Sequence, residues 1–105
     1  MDINKLIGQI IRELREEKEL LVRQVAALLE VDPSLLSKIE RGDKRPTREQ
    51  IILLANILEV DESELMVAYL SDRLVYEVRD EDLAMEAIKV AEQKIEYLKK
   101  SNTAL

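Results

Sequence analysis

The sequence predicts an all-α protein, with five short helices in the first 70 residues and a longer helix toward the C-terminus. Three observations carry this reading. Apolar residues recur at three- and four-residue steps rather than alternating. Leu, Ile, Val and Ala supply the apolar content, with no Phe or Trp, which suits aliphatic interdigitation between short helices. Two Gly and two Pro in 105 residues are too few for a turn-rich sandwich.

Ile3, Leu6, Ile7, Ile10, Ile11 and Leu14 place the first helix over residues 3–18. Gly8 inside it costs about 1 kcal/mol against Ala, which close packing by another helix would explain. Val22, Val25, Ala26 and Leu29 mark a second helix over 22–29. In "EVDPS", Asp32 suits an N-cap and Pro33 suits the first helical position. The third helix runs to about Arg41 with Leu36 and Ile39 inward, and Gly42 closes it in the left-handed conformation. "TREQ" reads as a capping box, Thr47 with Gln50, opening a fourth helix whose inner stripe is Ile51, Leu54, Ala55 and Leu58. "DESE" repeats the device with Asp61 and Glu64, ahead of Leu65, Met66, Tyr69 and Leu70 on a fifth helix.

"DRLVYEV" leaves three readings open: an extension of the fifth helix, another short helix, or a short strand. Asp80 then caps a longer helix reaching about Lys100. Its Ala84, Ile88, Ala91, Ile95 and Leu98 step by four and three, a heptad-like seam suited to dimerisation. Such a helix needs a surface to bury against: its own domain, a second subunit, or both. The final "SNTAL" is expected to fray.

The absence of Cys and His removes disulfides, thiol chemistry, the usual metal ligands and histidine acid–base work. No apolar run reaches membrane length, so a soluble cytoplasmic protein is the expectation. No nucleophile–base constellation and no cofactor or metal motif is present. Carboxylate pairs such as Glu16/Glu17 and Glu62/Glu64 read as surface or capping charges. An enzyme is therefore not expected.

Charge is unevenly placed. The whole chain carries −6, yet residues 34–48 carry a local +3 from Lys38, Arg41, Lys44, Arg45 and Arg48 against Glu40 and Asp43. A local basic face, not the total, is what a polyanion meets. Two short helices joined at residues 30–32 make a helix-turn-helix, whose second helix can enter a major groove. Ser34 and Ser37 can donate or accept at a base edge, and Lys38 can donate to guanine. Leu35 either touches a thymine methyl or stays in the core. Arg41, Lys44 and Arg45 lie at or beyond the helix end and suit phosphate. Thr47 and Arg48 open the fourth helix, whose free N–H groups also favour phosphate.

"VRQVAALLEVDPSLLSKIERGDKRPTREQIILLANILEVDESEL" resembles the phage-repressor-like, or xenobiotic-response-element, helix-turn-helix family, carried by "LSKIERGDKRPT" and "LLANILEVDESEL". The likeness covers residues 3–70. It implies a five-helix repressor-like domain over residues 1–70 and a C-terminal helical extension over 71–100 that serves dimerisation. It places base contacts at Pro33, Ser34, Ser37 and Lys38, and backbone contacts at Arg41, Lys44 and Arg45. It also implies a paired buried Arg15 and Glu40. The chain departs from the pattern at four places. Val22 stands where a backbone-binding Gln is usual, leaving Arg23 or Gln24 to replace that contact. Leu21 stands where a Ser or Thr cap is usual. Glu19 and Glu30 stand at turn glycines, where a left-handed backbone would add strain of about 1 kcal/mol or more.

The function implied is a sequence-specific double-stranded DNA-binding transcriptional regulator of bacterial type, a homodimeric repressor on a near-palindromic operator. The alternative is a protein-interaction module, such as an antitoxin or adaptor, with a co-encoded partner and secondary DNA binding.

Overall fold

The computed structural model describes residues 1–101. It contains six helices: α1 (Ile7–Glu17), α2 (Val22–Leu29), α3 (Pro33–Arg41), α4 (Arg48–Ile57), α5 (Glu62–Val78) and α6 (Ala84–Lys100). No strand occurs among the described residues. The chain divides into two compact units, Met1–Arg73 and the residues from Leu74 onward, with the boundary inside α5.

In the first unit α3 packs on α1 and α2, and α2 also packs on α4. Leu36 and Ile39, inward on α3, meet a core that includes Ile10, Ile11, Val25, Ile51, Leu54, Leu58 and Leu65, all fully buried. Gly8 is explained by proximity. A Cβ there would lie 2.3 Å from the Ile39 carbonyl oxygen and 2.8 Å from that of Glu40. The missing side chain is what lets α1 touch the end of α3.

Four helix ends in this unit close alike. Leu20 N–H bonds to Arg15 O at 3.1 Å, Val31 to Ala26 O at 3.0 Å, Asp43 to Lys38 O at 2.9 Å and Val60 to Ala55 O at 3.0 Å. Each is a left-handed cap, with the chain turning back on the last carbonyls. Only one uses glycine, Gly42 at φ 84°; the others place Glu19, Glu30 and Glu59 at φ 56°, 60° and 55°. Each glutamate costs roughly 1 kcal/mol in that conformation. The next residue, Leu20, Val31 or Val60, packs on the core, and that burial offsets the strain.

Several helix boundaries differ from the sequence reading. The first helix begins at Ile7, not residue 3, and Ile3 is half exposed. The cause lies on α5, where the Asp72 carboxylate accepts the Ile7 N–H at 2.8 Å. A carboxylate satisfies a free N–H at a helix start and suits its dipole. Of the three readings left open for "DRLVYEV", the structure has the first, an extension of the fifth helix to Val78. Asp80 does not cap α6, which starts at Ala84 after Leu83. With α5 running to Val78, residues 79–83 make the turn instead, through Glu81 N–H to Val78 O and Ala84 N–H to Glu81 O. The expectation that "SNTAL" frays falls, beyond Ser101, outside the described residues.

The second unit is dominated by α6, none of whose side chains is buried. Of its heptad-like seam, Ala84, Ile88 and Leu98 are half-buried, whereas Ala91 and Ile95 are exposed.

Candidate nucleic-acid interface

The interface is built on α3, and α3 is fixed from behind. Arg15 on α1 donates from Nε to Glu40 Oε2 at 2.7 Å and from Nη2 to Glu40 Oε1 at 2.9 Å. Its Nη1 donates to Leu20 O at 2.8 Å. One guanidinium thus ties α1, α3 and the turn before α2. The side chains are only 11% and 6% exposed, so the pair sits where a broken partner is costly. The hydrogen bonds that Arg15 donates to Glu40 hold its pKa above the ordinary value, against the opposing effect of burial.

With that face clamped, the opposite face of α3 is presented to solvent. Pro33, Ser34, Lys38 and Arg41 are exposed, Ser37 is half-buried, and Leu35 is half-buried against the core. Asp32 caps the helix start and also engages Ser34: its Oδ1 accepts the Ser34 N–H at 2.8 Å and the Ser34 hydroxyl at 2.7 Å. These bonds, the hydroxyl first, pull the Asp32 pKa below the ordinary carboxylate range. A carboxylate has no hydrogen to give, so the single Ser34 hydroxyl hydrogen is committed to it. Ser34 therefore offers only acceptor lone pairs to a ligand. The sequence leaves donor and acceptor roles equal; the serine two residues after an aspartate cap was the available signal.

The flanking basic groups lie at the exit of α3 and the start of α4. Lys44 and Arg45 are exposed beyond Gly42. Arg41 Nε lies 3.1 Å from Asp43 Oδ2, so a phosphate would compete with that exposed carboxylate. Thr47 and Gln50 form the reciprocal capping box, at 2.9 and 3.1 Å. Two N–H groups at the α4 start are thus taken, while the Thr47 hydroxyl keeps its own hydrogen, beside an exposed Arg48. At the α2 start, Gln24 Oε1 accepts the Leu21 N–H at 2.8 Å. Gln24 thus supplies its own half of a capping box, which Leu21 has no side-chain acceptor to reciprocate; it retains its amide hydrogens, and Arg23 next to it is exposed.

Among the described residues no group of three or more carboxylates could hold a metal ion. No helix among them is long and apolar enough to cross a membrane. The seam residues Ala84, Ile88, Ala91, Ile95 and Leu98 all lie on α6, outside the unit that carries α3.

Residues 6–66 match the family model described as "Helix-turn-helix domain". The chain is also similar to a protein of Sinorhizobium fredii named as the uncharacterized HTH-type transcriptional regulator y4dJ. The two are 38% identical over 66 residues, spanning 63% of this chain and 86% of that protein.

Proposed function

The chain belongs to the helix-turn-helix domain family, and on that premise we propose that it is a sequence-specific double-stranded DNA-binding regulator of transcription. Family membership points away from an enzyme. The finer reading is a phage-repressor-like protein acting as a cytoplasmic homodimeric repressor in a bacterium. Residues 1–70 bind DNA and 71–100 join the subunits. The observation that carries the proposal is the clamped α3. Arg15 and Glu40 engage its inner side, and Pro33, Ser34, Ser37 and Lys38 lie on its outer side.

In a major groove the two serines and Lys38 face base edges. Ser34, as an acceptor, favours the exocyclic amine of adenine or cytosine. Lys44, Arg45, Arg41 and Arg48 take phosphates and set the register, with Arg23, Gln24 and Thr47 completing the backbone contacts. Two subunits place two copies of α3 about 34 Å apart on one side of a near-palindromic operator. Occupying that site blocks polymerase.

Selection of bound fragments from random duplex DNA at fixed salt tests this reading. A two-fold pattern with half-sites one helical turn apart is expected. Failure to enrich any sequence at low salt, with the helical fold intact, would sink it.

The absence of any fully buried side chain on α6 favours a second reading, an antitoxin or adaptor whose α6 holds a co-encoded protein. Co-purification of a different protein at equal stoichiometry would support it.

A further inference from the structure

The most open apolar stripe on α6 is not the heptad-like seam but its neighbour, one residue earlier. Leu83 and Tyr97 are each 70% exposed and Val90 is 46% exposed. An open groove runs along this side, lined by Leu83, Glu86, Ala87, Val90, Ala91 and Lys94. About Val90 the pattern is symmetric in spacing and opposite in charge. Apolar residues stand seven before and seven after it, Leu83 and Tyr97. Glu86 stands four before it and Lys94 four after.

We infer that this stripe is the docking surface for a second copy of the chain, with the two α6 helices antiparallel about a twofold axis beside Val90. The inference rests on the homodimer reading above and names its surface and orientation. Reversal of direction sets Glu86 of one subunit level with Lys94 of the other, twice over. It also sets Leu83 level with Tyr97, and Val90 against its own copy. A parallel pair would instead set Glu86 against Glu86 and Lys94 against Lys94. Such self-complementarity under a twofold is what an isologous interface requires. An unrelated partner would have no reason to meet a surface that complements its own reverse.

The test uses the full chain, which has no cysteine of its own. Val90→Cys and Tyr97→Cys are oxidised separately. Antiparallel pairing brings the two copies of position 90 together. It leaves the copies of position 97 about 20 Å apart at 1.5 Å per residue, beyond disulfide reach. Val90→Cys is expected to form a covalent dimer and Tyr97→Cys is not. In parallel, sedimentation compares charge variants at low salt. Glu86→Lys and Lys94→Glu alone should each weaken the dimer by about tenfold, given two surface pairs turned repulsive. The double variant should restore it. Crosslinking at position 97, failure of the double variant to restore the dimer, or a wild-type monomer at 100 μM as an order of magnitude would each overturn the inference. None of these readouts involves DNA. A dimer that selects no DNA sequence would count against the regulator and leave this surface standing.

Discussion

Where α1 crosses α3 every strong group is engaged, whereas along α6 no side chain is buried. The crossing holds a guanidinium with three hydrogen bonds and a glycine that admits two carbonyls. α6 and its N-cap residue show Leu83, Met85, Val90, Ile95 and Tyr97 to solvent. The difference separates two uses of apolar and charged residues. At the crossing they hold α3 in place, so the outer face of α3 is rigid before any ligand arrives. On α6 most are unspent, since only Ala84, Ile88 and Leu98 are half-buried, and helices in proteins draw most of their stability from packing an apolar face. That is the condition of a surface that gains its stability from association.

The largest test of this contrast is Glu40→Ala. It strands Arg15 with a buried charge and should cost about 3–5 kcal/mol in urea unfolding. The matched change on α6, Glu96→Ala, should stay within about 0.5 kcal/mol. Equal losses at the two sites would erase the distinction. Gly8→Ala follows. A methyl gains about 1 kcal/mol of helix propensity but meets two backbone oxygens that cannot swing aside. A net loss of about 2–3 kcal/mol is expected by calorimetry. A more stable variant would mean that α1 and α3 can separate without harm.

The two regions were unequally legible in the sequence. α3 and α4 were marked by local devices: Asp32 with Pro33, Gly42, and the Thr47/Gln50 box. Each acts within a few residues, so each shows in the string. The start of α1 was not marked, because its cap is Asp72, 65 positions away in sequence. A trace existed, since Asp72 follows Leu65 and Ala68 on the buried stripe of α5, and a carboxylate there must find a donor. Proximity of Arg15 to Glu40 came from the family resemblance. The beginning of α6 was misplaced because Asp80 looks like a cap in isolation, and only the length of α5 forbids it. Exposure on α6 could not be ranked from spacing, since two stripes one residue apart share the same four–three steps.

On the outer face of α3, Ser34→Ala sharpens the comparison between positioning and reading. Loss of an acceptor should reduce the preference for an adenine or cytosine at one base position by about 1–3 kcal/mol, read by competition between duplexes. Lys44→Ala should instead weaken all sequences alike and lower the salt slope by about one. A Ser34 variant that lowers affinity uniformly would demote it to a surface serine. Smaller still are the left-handed glutamates. Glu59→Gly removes strain but gives up chain entropy, for a net gain of under about 1 kcal/mol. Glu30→Gly should gain slightly more, since Glu59 also pairs with Lys18, its Oε1 lying 3.4 Å from the Lys18 Nζ. A loss at either would show that the glutamate side chain holds the turn.

Asp72 makes the smallest and most diagnostic prediction, because it is a buried charge at the edge of the well-packed unit. Burial raises its pKa, and the Ile7 hydrogen bond lowers it by less. The folded protein therefore binds a proton more readily than the unfolded chain does. The penalty for holding the charge is present above the raised folded value. It is relieved as pH falls through the window between that value and the ordinary carboxylate range. Asp72→Asn keeps an oxygen for the Ile7 N–H and removes the titration. Relative to the variant, the wild type should gain stability as pH is lowered through that window and lose it as pH rises. Urea midpoints at several pH values read the difference. The opposite slope would mean that the helix start stabilises the carboxylate more than burial penalises it, and α1 would then be anchored by charge rather than by a hydrogen bond alone.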